Sequence, residues 1–237
     1  MNKNCHINVL GVTGVGKSTY SRQITFDVNY AHGSPVAAIL SNDLLKDGIR
    51  FVLEGNQDHP LVISNKQLLK PLKKIELEQV IDVAIFREKL NQIVRFELDQ
   101  IEDNNLIVNE GFFIPKENLQ NYLITRNVTW IEEILEKREI ERHGRILKPQ
   151  RNFAEKIFNI QKIYYDYLFK NNKINFVGYN KTKFSQISEK LLIKKNLAYY
   201  INPNQFIQVI FNKLDIAYTQ NNISLFKKGL EYSFSRL

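Results

Sequence analysis

The sequence predicts an α/β fold: a five-stranded parallel sheet with helices on both faces, an arginine-rich lid and a helical C-terminal appendage. Three observations carry this. Short apolar runs alternate along the chain with longer stretches of helical periodicity. Those runs are unbroken rather than alternating, as in strands covered on both sides. The first run ends in a glycine-rich turn, and a helical stretch begins directly after it.

His6 to Leu10 forms the first expected strand, and Lys17 to Val28 the first helix. Val36 to Leu40 is a buried strand, and Asn42 to Leu53 a helix. A loop with Gly, Asp and Pro spans Gly55 to Asn65, and a long helical stretch runs from about Pro71 to Asp103. The third strand is Leu106 to Asn109, the fourth Val128 to Ile131 and the fifth Ile174 to Val177. Helices are expected at about Glu132–Arg142 and Phe153–Phe169. On this reading residues 1–183 make the core, with the lid around 132–155, and 184–237 make a helical C-terminal extension. That extension is amphipathic, with Leu191, Ile193, Phe206, Ile207, Val209, Ile210 and Phe211 as its apolar surface. It shows no chemistry of its own.

At 43% hydrophobic and 24% charged, the chain has an ordinary globular composition. Its single cysteine, Cys5, rules out an intrachain disulfide framework and suits a reducing, cytoplasmic setting. The N-terminus carries no signal-peptide or transit-peptide pattern, and no apolar run approaches the roughly 20 residues that span a bilayer. The net charge of +8 is uneven: residues 1–120 sum to −2 and residues 121–237 to +10. A basic half of this kind faces an anion or is a solvated surface. Richness in Asn, Lys, Ile and Tyr assigns part of that charge to composition alone.

Gly11-Val12-Thr13-Gly14-Val15-Gly16-Lys17-Ser18 fits G-x-x-x-x-G-K-[ST], followed by Thr19. The spacing suits a phosphate cradle. Glycines let the backbone wrap closely, with N–H groups aimed at the phosphates of a purine nucleoside triphosphate. Lys17 reaches the β- and γ-phosphates, and Ser18 holds Mg²⁺. The helix that starts at Lys17 adds its positive end. The strand before and the helix after separate this P-loop from a chance glycine turn.

Other groups gather around it in sequence. Asp43 follows the second strand and is placed to orient or deprotonate an acceptor hydroxyl; the competing reading is a helix cap. Arg50, two turns on, either holds an anionic group of the acceptor or is a surface arginine. Glu110 ends the third strand and fits a magnesium anchor, or a turn residue. Ile131, Ile134, Leu135, Arg138 and Arg142 share one helical face, and Arg145, Lys148 and Arg151 continue its charge. This fits a lid that brings Arg138, Arg142 and Arg145 over the phosphates; Glu139 and Glu141 leave a solvated helix as the alternative. His6, His32, His59 and His143 share no metal-ligand spacing. Tyr164, Tyr165 and Tyr167 fall at helical spacing with Phe153, Ile157, Ile160 and Leu168, as in a core face.

With these residues in order, the chain resembles the 2-phosphoglycerate kinase-like group of P-loop kinases over about residues 5 to 180. The P-loop, Asp43 to Arg50, His59-Pro60-Leu61 with Ser64, Leu106 to Gly111 with Pro115, and Arg138 to Phe153 with Asp166-Tyr167-Leu168 carry the likeness. The resemblance implies an adenylate-kinase-like core and Mg-ATP. It implies transfer to a hydroxyl of a small phosphorylated acid such as 2-phosphoglycerate, with Arg50, Arg151, Asp43 and Glu110 on the acceptor side. The chain departs from the pattern at Phe112-Phe113, where the group tends to have a histidine, and at Lys162 and Tyr165. These departures bear on the acceptor rather than on the fold.

Three functions therefore stand. The leading one is a small-molecule kinase. A kinase of an RNA end or aminoacyl-tRNA hydroxyl draws on the basic second half with Lys190, Lys194, Lys195, Lys227 and Lys228, though no RNA-binding motif accompanies it. A non-enzymatic nucleotide switch would have no use for an acceptor acid. On the leading reading Lys17→Ala abolishes nucleotide turnover, measured as ADP release; full turnover in that variant would overturn the assignment of the cradle.

Overall fold

The computed structural model describes residues 4–11, 16–55, 77–101, 105–115, 119–124, 161, 163–165, 167–168, 176–179 and 199–234. Its strands are β1 (Cys5–Leu10), β2 (Ala37–Ser41), β3 (Leu106–Glu110), β4 (Gln120–Ile124) and β5 (Phe176–Tyr179). They form one sheet in the order β2-β3-β1-β4-β5, and every pairing is parallel. The helices are α1 (Lys17–His32), α2 (Asn42–Glu54), α3 (Leu77–Ile101), α4 (Ile207–Lys213) and α5 (Gln220–Phe234), with a 3₁₀ turn at Pro203–Phe206.

Four of the expected strands coincide with strands of this sheet, the last displaced by two residues. The fourth, residues 128–131, lies outside the described residues, and among those described the sheet holds a strand the sequence reading does not contain, Gln120–Ile124. Its pattern is broken by a buried polar residue, Asn121, which hides it from a search for apolar runs. Asn121 is there for a ladder. Asn109 donates to Asn8 Oδ1 (3.1 Å), Asn8 donates to Asn121 Oδ1 (2.7 Å), and Asn121 donates to the Leu119 carbonyl (2.8 Å). These amides pair at matched positions across β3, β1 and β4. Burying them is tolerable because each finds a partner, and any slip of register would orphan them.

Successive strand residues feed opposite faces. Leu40 and Ile107 join Leu44, Ile49 and Val52 of α2, Leu90 and Val94 of α3, and Phe206, Ile210, Phe211, Phe226 and Leu230 of the C-terminal segment. Val9, Ile39 and Val108 join Phe112, Phe113, Tyr164 and Tyr165 on the other face, with Tyr20 and Ile24 of α1 packed against them. Full burial of a side chain such as Phe226 contributes about 1.5–3 kcal/mol.

The edge at β2 is covered by the C-terminal segment. Tyr200 bridges in parallel to Ile39, and the Ile201 amide donates to the Ile39 carbonyl at 2.9 Å. Capping an edge this way removes a template for unwanted strand pairing.

β1 lies between β3 and β4. The connections after β1 and β4 lead toward opposite edges, so a crevice opens beyond the carboxyl end of β1, where open α/β sheets bind ligands.

α5 crosses α2 with backbone almost touching backbone. A Cβ on Gly229 would come within 2.3 Å of the Asp47 carbonyl oxygen, and one on Gly48 within 2.6 Å of the Phe226 ring. Gly229→Ala therefore forces the helices apart. The overpacking, about 1–3 kcal/mol, offsets the roughly 1 kcal/mol that alanine adds to a helix and leaves a net loss of up to about 2 kcal/mol. Urea unfolding measures this as a lower midpoint; a raised midpoint would refute the tight crossing.

Candidate functional site

The crevice beyond β1 begins at Gly11, whose φ of 148° lies in the region that favours glycine. The turn resumes at Gly16, with φ 96°, immediately before α1. No side chain caps α1, and its first turn holds no acidic residue. A helix that starts this way presents its positive end to an anion. Lys17 and Ser18 open the helix, and Thr19 follows them. Val12, Thr13, Gly14 and Val15 lie outside the described residues, as do Arg138, Arg142, Arg145 and Arg151.

Ser18 Oγ donates to Glu110 Oε1 at 2.9 Å. This joins the start of α1 to the end of β3. Glu110 is 2% exposed. Burial is the main influence on its pKa and raises it; the charge of Asp43 raises it further. Lys17 and the hydroxyls of Ser18 and Ser41 act against that rise without cancelling it. Glu110 Oε2 is buried with no hydrogen-bond partner among the described residues. A hydroxyl and a buried carboxylate with an uncovered oxygen are hard oxygen donors suited to Mg²⁺. Among the described residues no group of three His, Cys, Asp or Glu side chains could hold a metal. The backbone leaves β3 through Gly111, φ 149°, where a Cβ would stand 2.6 Å from Asn42 Cβ.

Asp43 stands in the first turn of α2, beyond the end of β2. The N-cap of α2 is Ser41, and Asp43 instead meets Arg87 of α3, whose Nη1 donates to Oδ1 at 3.0 Å. Burial alone would raise the Asp43 pKa. Arg87, Lys46 and Lys17 outweigh it, and the carboxyl falls to about 2. The side chain is nonetheless 44% exposed, so the carboxylate is reachable from the crevice. The Arg87 guanidinium lies 5.9 Å from the centroid of the Phe112 ring. The Gly11 amide donates to the Tyr165 hydroxyl at 3.2 Å, and Tyr165 packs edge-on against Phe112.

Four residues expected from the sequence are therefore brought together: Ser18 bonds Glu110, and the charge of Lys17 acts on both Glu110 and Asp43. Arg50 is placed differently. It pairs with Asp47 and Glu54 at 3.6 and 3.8 Å, and its guanidinium lies 5.3 Å from the rings of both Phe51 and Tyr232. It serves the seam between α2 and α5. His6 bonds Asp99 at 2.9 Å at the amino end of β1.

One neighbour of the site, Arg87, is not marked by the sequence reading, and Tyr165, expected there as part of a core face, also reaches the Gly11 amide. Arg87 belongs to a buried polar stripe on α3: Asn42 donates to Asn91, and Glu88 pairs with Arg95. The signal was available as Arg87, Glu88, Asn91 and Arg95 at helical spacing inside an otherwise apolar face.

Among curated proteins the chain is similar to a uridine kinase from Chlamydia pneumoniae, with 23% identity over 112 residues, 46% of this chain and 49% of that protein. It thus spans about half the length of the relative it matches. No protein-family model and no solved structure matches the chain. Among the described residues no helix is long and apolar enough to cross a membrane.

The Asp43–Arg87 pair gives a direct test of this electrostatic layout. Arg87→Met removes the largest of the charges that hold the Asp43 carboxyl down, leaving Lys46 and Lys17, so the carboxyl moves up from about 2. In the native chain the pair's contribution to stability is lost as pH falls from the ordinary carboxylate range through about 2; the variant has no pair and lacks that acid-dependent loss. Carbon-13 NMR of the Asp43 carboxyl reads both titrations, and identical curves would rule out Arg87 as the controlling cation.

Proposed function

We propose that the chain is an ATP-dependent kinase that moves the γ-phosphate onto a hydroxyl of a small molecule. The observation that carries this is the convergence of Lys17, the Ser18–Glu110 pair and the reachable Asp43 carboxylate around one strand end. A nucleotide switch has a use for the first three and none for the last. The similarity to a uridine kinase supports the same reaction type.

In the proposed step an acceptor oxygen attacks the γ-phosphorus, the bond to the β–γ bridging oxygen breaks, and ADP leaves. Lys17 offsets charge on the β- and γ-phosphates. Asp43 accepts a hydrogen bond from the acceptor hydroxyl and aims its oxygen at phosphorus, then takes the proton and releases it to water. A carboxyl held near 2 is a weak base, so orientation is its main contribution. Mg²⁺, when bound, supplies charge neutralisation between the β- and γ-phosphates; Ser18 and Glu110 would hold it. Arg138, Arg142 and Arg145 would close over the phosphates and exclude water, with Arg151 beside the acceptor, as the resemblance implies.

The acceptor class follows from where the candidate anion-holding arginines lie. Arg50 stands away from the site, at the seam of α2 and α5, paired with Asp47 and Glu54. Arg87, beside the site, is paired with Asp43. Phe112 adds an aromatic surface under Arg87. This favours an uncharged, ring-bearing acceptor of nucleoside type, in line with the named relative. A phosphorylated acid such as 2-phosphoglycerate is the second reading, favoured by the order of motifs along the chain.

Phosphorus-31 NMR with Mg-ATP, supplied in turn with uridine, cytidine, 2-phosphoglycerate, glycerate and a short RNA, decides among them. The expected result is a nucleoside monophosphate signal that Lys17→Ala abolishes. A bisphosphoglycerate signal would install the second reading, and a phosphorylated RNA end a nucleic-acid kinase. Nucleotide binding with transfer to no acceptor would overturn the kinase proposal in favour of a switch.

A further inference from the structure

The C-terminal extension reaches the phosphate site. Tyr200 is its point of entry, bridging to Ile39 on the open side of β2. Ile39 in turn is matched with Val108 of β3, and two residues on, Ser41 is matched with Glu110. Residues matched across parallel strands share a face, so Tyr200, Ile39 and Val108 form one row and Ser41 and Glu110 the next. The rows are about 6.6 Å apart, twice the rise per residue. That distance is within the reach of a tyrosine side chain running along the strands.

Three polar atoms in these rows are buried with no hydrogen-bond partner among the described residues: the Tyr200 hydroxyl, Ser41 Oγ and Glu110 Oε2. Two can donate, and the third, on a carboxylate, only accepts. Ser41 is the N-cap of α2, yet its hydroxyl makes no capping bond to that helix. A serine at this position ordinarily accepts from the first turn. Its hydroxyl is left available to the carboxylate with which it is in register, and it favours the charged form of Glu110. Glu110 and Arg22 are the charges that act on Tyr200. Arg22 is itself tied to the site, because its Nε donates to the Ser18 carbonyl at 3.1 Å. The Tyr200 ring is fixed from behind by an edge-on contact with Phe234 of α5, centroids 6.3 Å apart.

We propose that Tyr200 is a positioning residue for Glu110. Its hydroxyl, together with that of Ser41, reaches Glu110 Oε2 through a bridging water and fixes the carboxylate's orientation, leaving that oxygen's remaining lone pair to the metal. The C-terminal segment thereby completes the wall behind the magnesium anchor. This rests on the reading of Glu110 as that anchor. Partners behind a metal-binding carboxylate fix its orientation, and their loss typically weakens metal binding by about 10–100-fold.

Mn²⁺, which occupies Mg²⁺ sites and is visible by electron paramagnetic resonance, is titrated into the native chain, Tyr200→Phe and Ser41→Ala, each with ADP. The Mn²⁺ dissociation constant should rise about tenfold in both variants. ADP affinity in EDTA and the thermal midpoint should stay near native, since Tyr200→Phe keeps the ring and its packing. Tyr218→Phe, an exposed tyrosine further along the same segment, should bind Mn²⁺ as the native chain does. Native Mn²⁺ affinity in Tyr200→Phe overturns the proposal. If that variant does not fold, Ser41→Ala decides in its place, and native affinity there is equally fatal. A native chain that holds ADP but gains no Mn²⁺ site overturns the anchor reading and this inference together.

Discussion

A carboxylate buried at the end of a β-strand is the constraint around which this structure is arranged. Glu110 has lost almost all its water and must be supplied with donors and positive charge by the protein. The Ser18 hydroxyl gives one hydrogen bond, and Lys17 gives charge from the start of α1. Asp43 adds a second negative charge nearby, which requires its own cation, Arg87. Each demand recruits another element: α1 for Ser18 and Lys17, α2 for Asp43, α3 for Arg87. The crevice beyond β1 is where these demands are met at once, and it is also where a phosphate ligand would bring charge of its own.

Most of the central sheet could be read from sequence because its strands are continuous apolar runs. The strand that could not be read, Gln120–Ile124, contains Asn121, whose amide is used in the ladder from Asn8 and Asn109. Apolar periodicity has no way to represent a polar residue satisfied by another polar residue a hundred positions away. Arg87 escaped notice for a related reason. It lies in the middle of a long helix, and its partner Asp43 is 44 positions earlier. By contrast, Lys17, Ser18, Asp43 and Glu110 were accessible because each sits beside a strand end, where local pattern and global position coincide.

The C-terminal segment shows the same limit from the other side. Its amphipathic pattern implies helices and apolar surface; Phe206, Ile207, Ile210 and Phe211 join the cluster shared with α2 and α3, while Leu191 and Ile193 lie outside the described residues. The pattern gave no sign that Tyr200 would enter beside β2 on the Glu110 face, because that depends on a bridge to Ile39. Arg50 illustrates the reverse. Its position two turns from Asp43 suggested an acceptor contact, while Phe51 and Tyr232, one of them 182 residues downstream, hold it at a helix seam.

The crossing of α2 and α5 has a mechanical consequence. Helices separated by large side chains can slide a little, because rotamers adjust and absorb the displacement. Here Gly229 lies against the carbonyl of Asp47, one turn from Asp43, with no side chain between the two backbones. Nothing at this contact can give. The two helices therefore behave as one stiff piece, and any rocking of Asp43 about the crevice carries α5 with it.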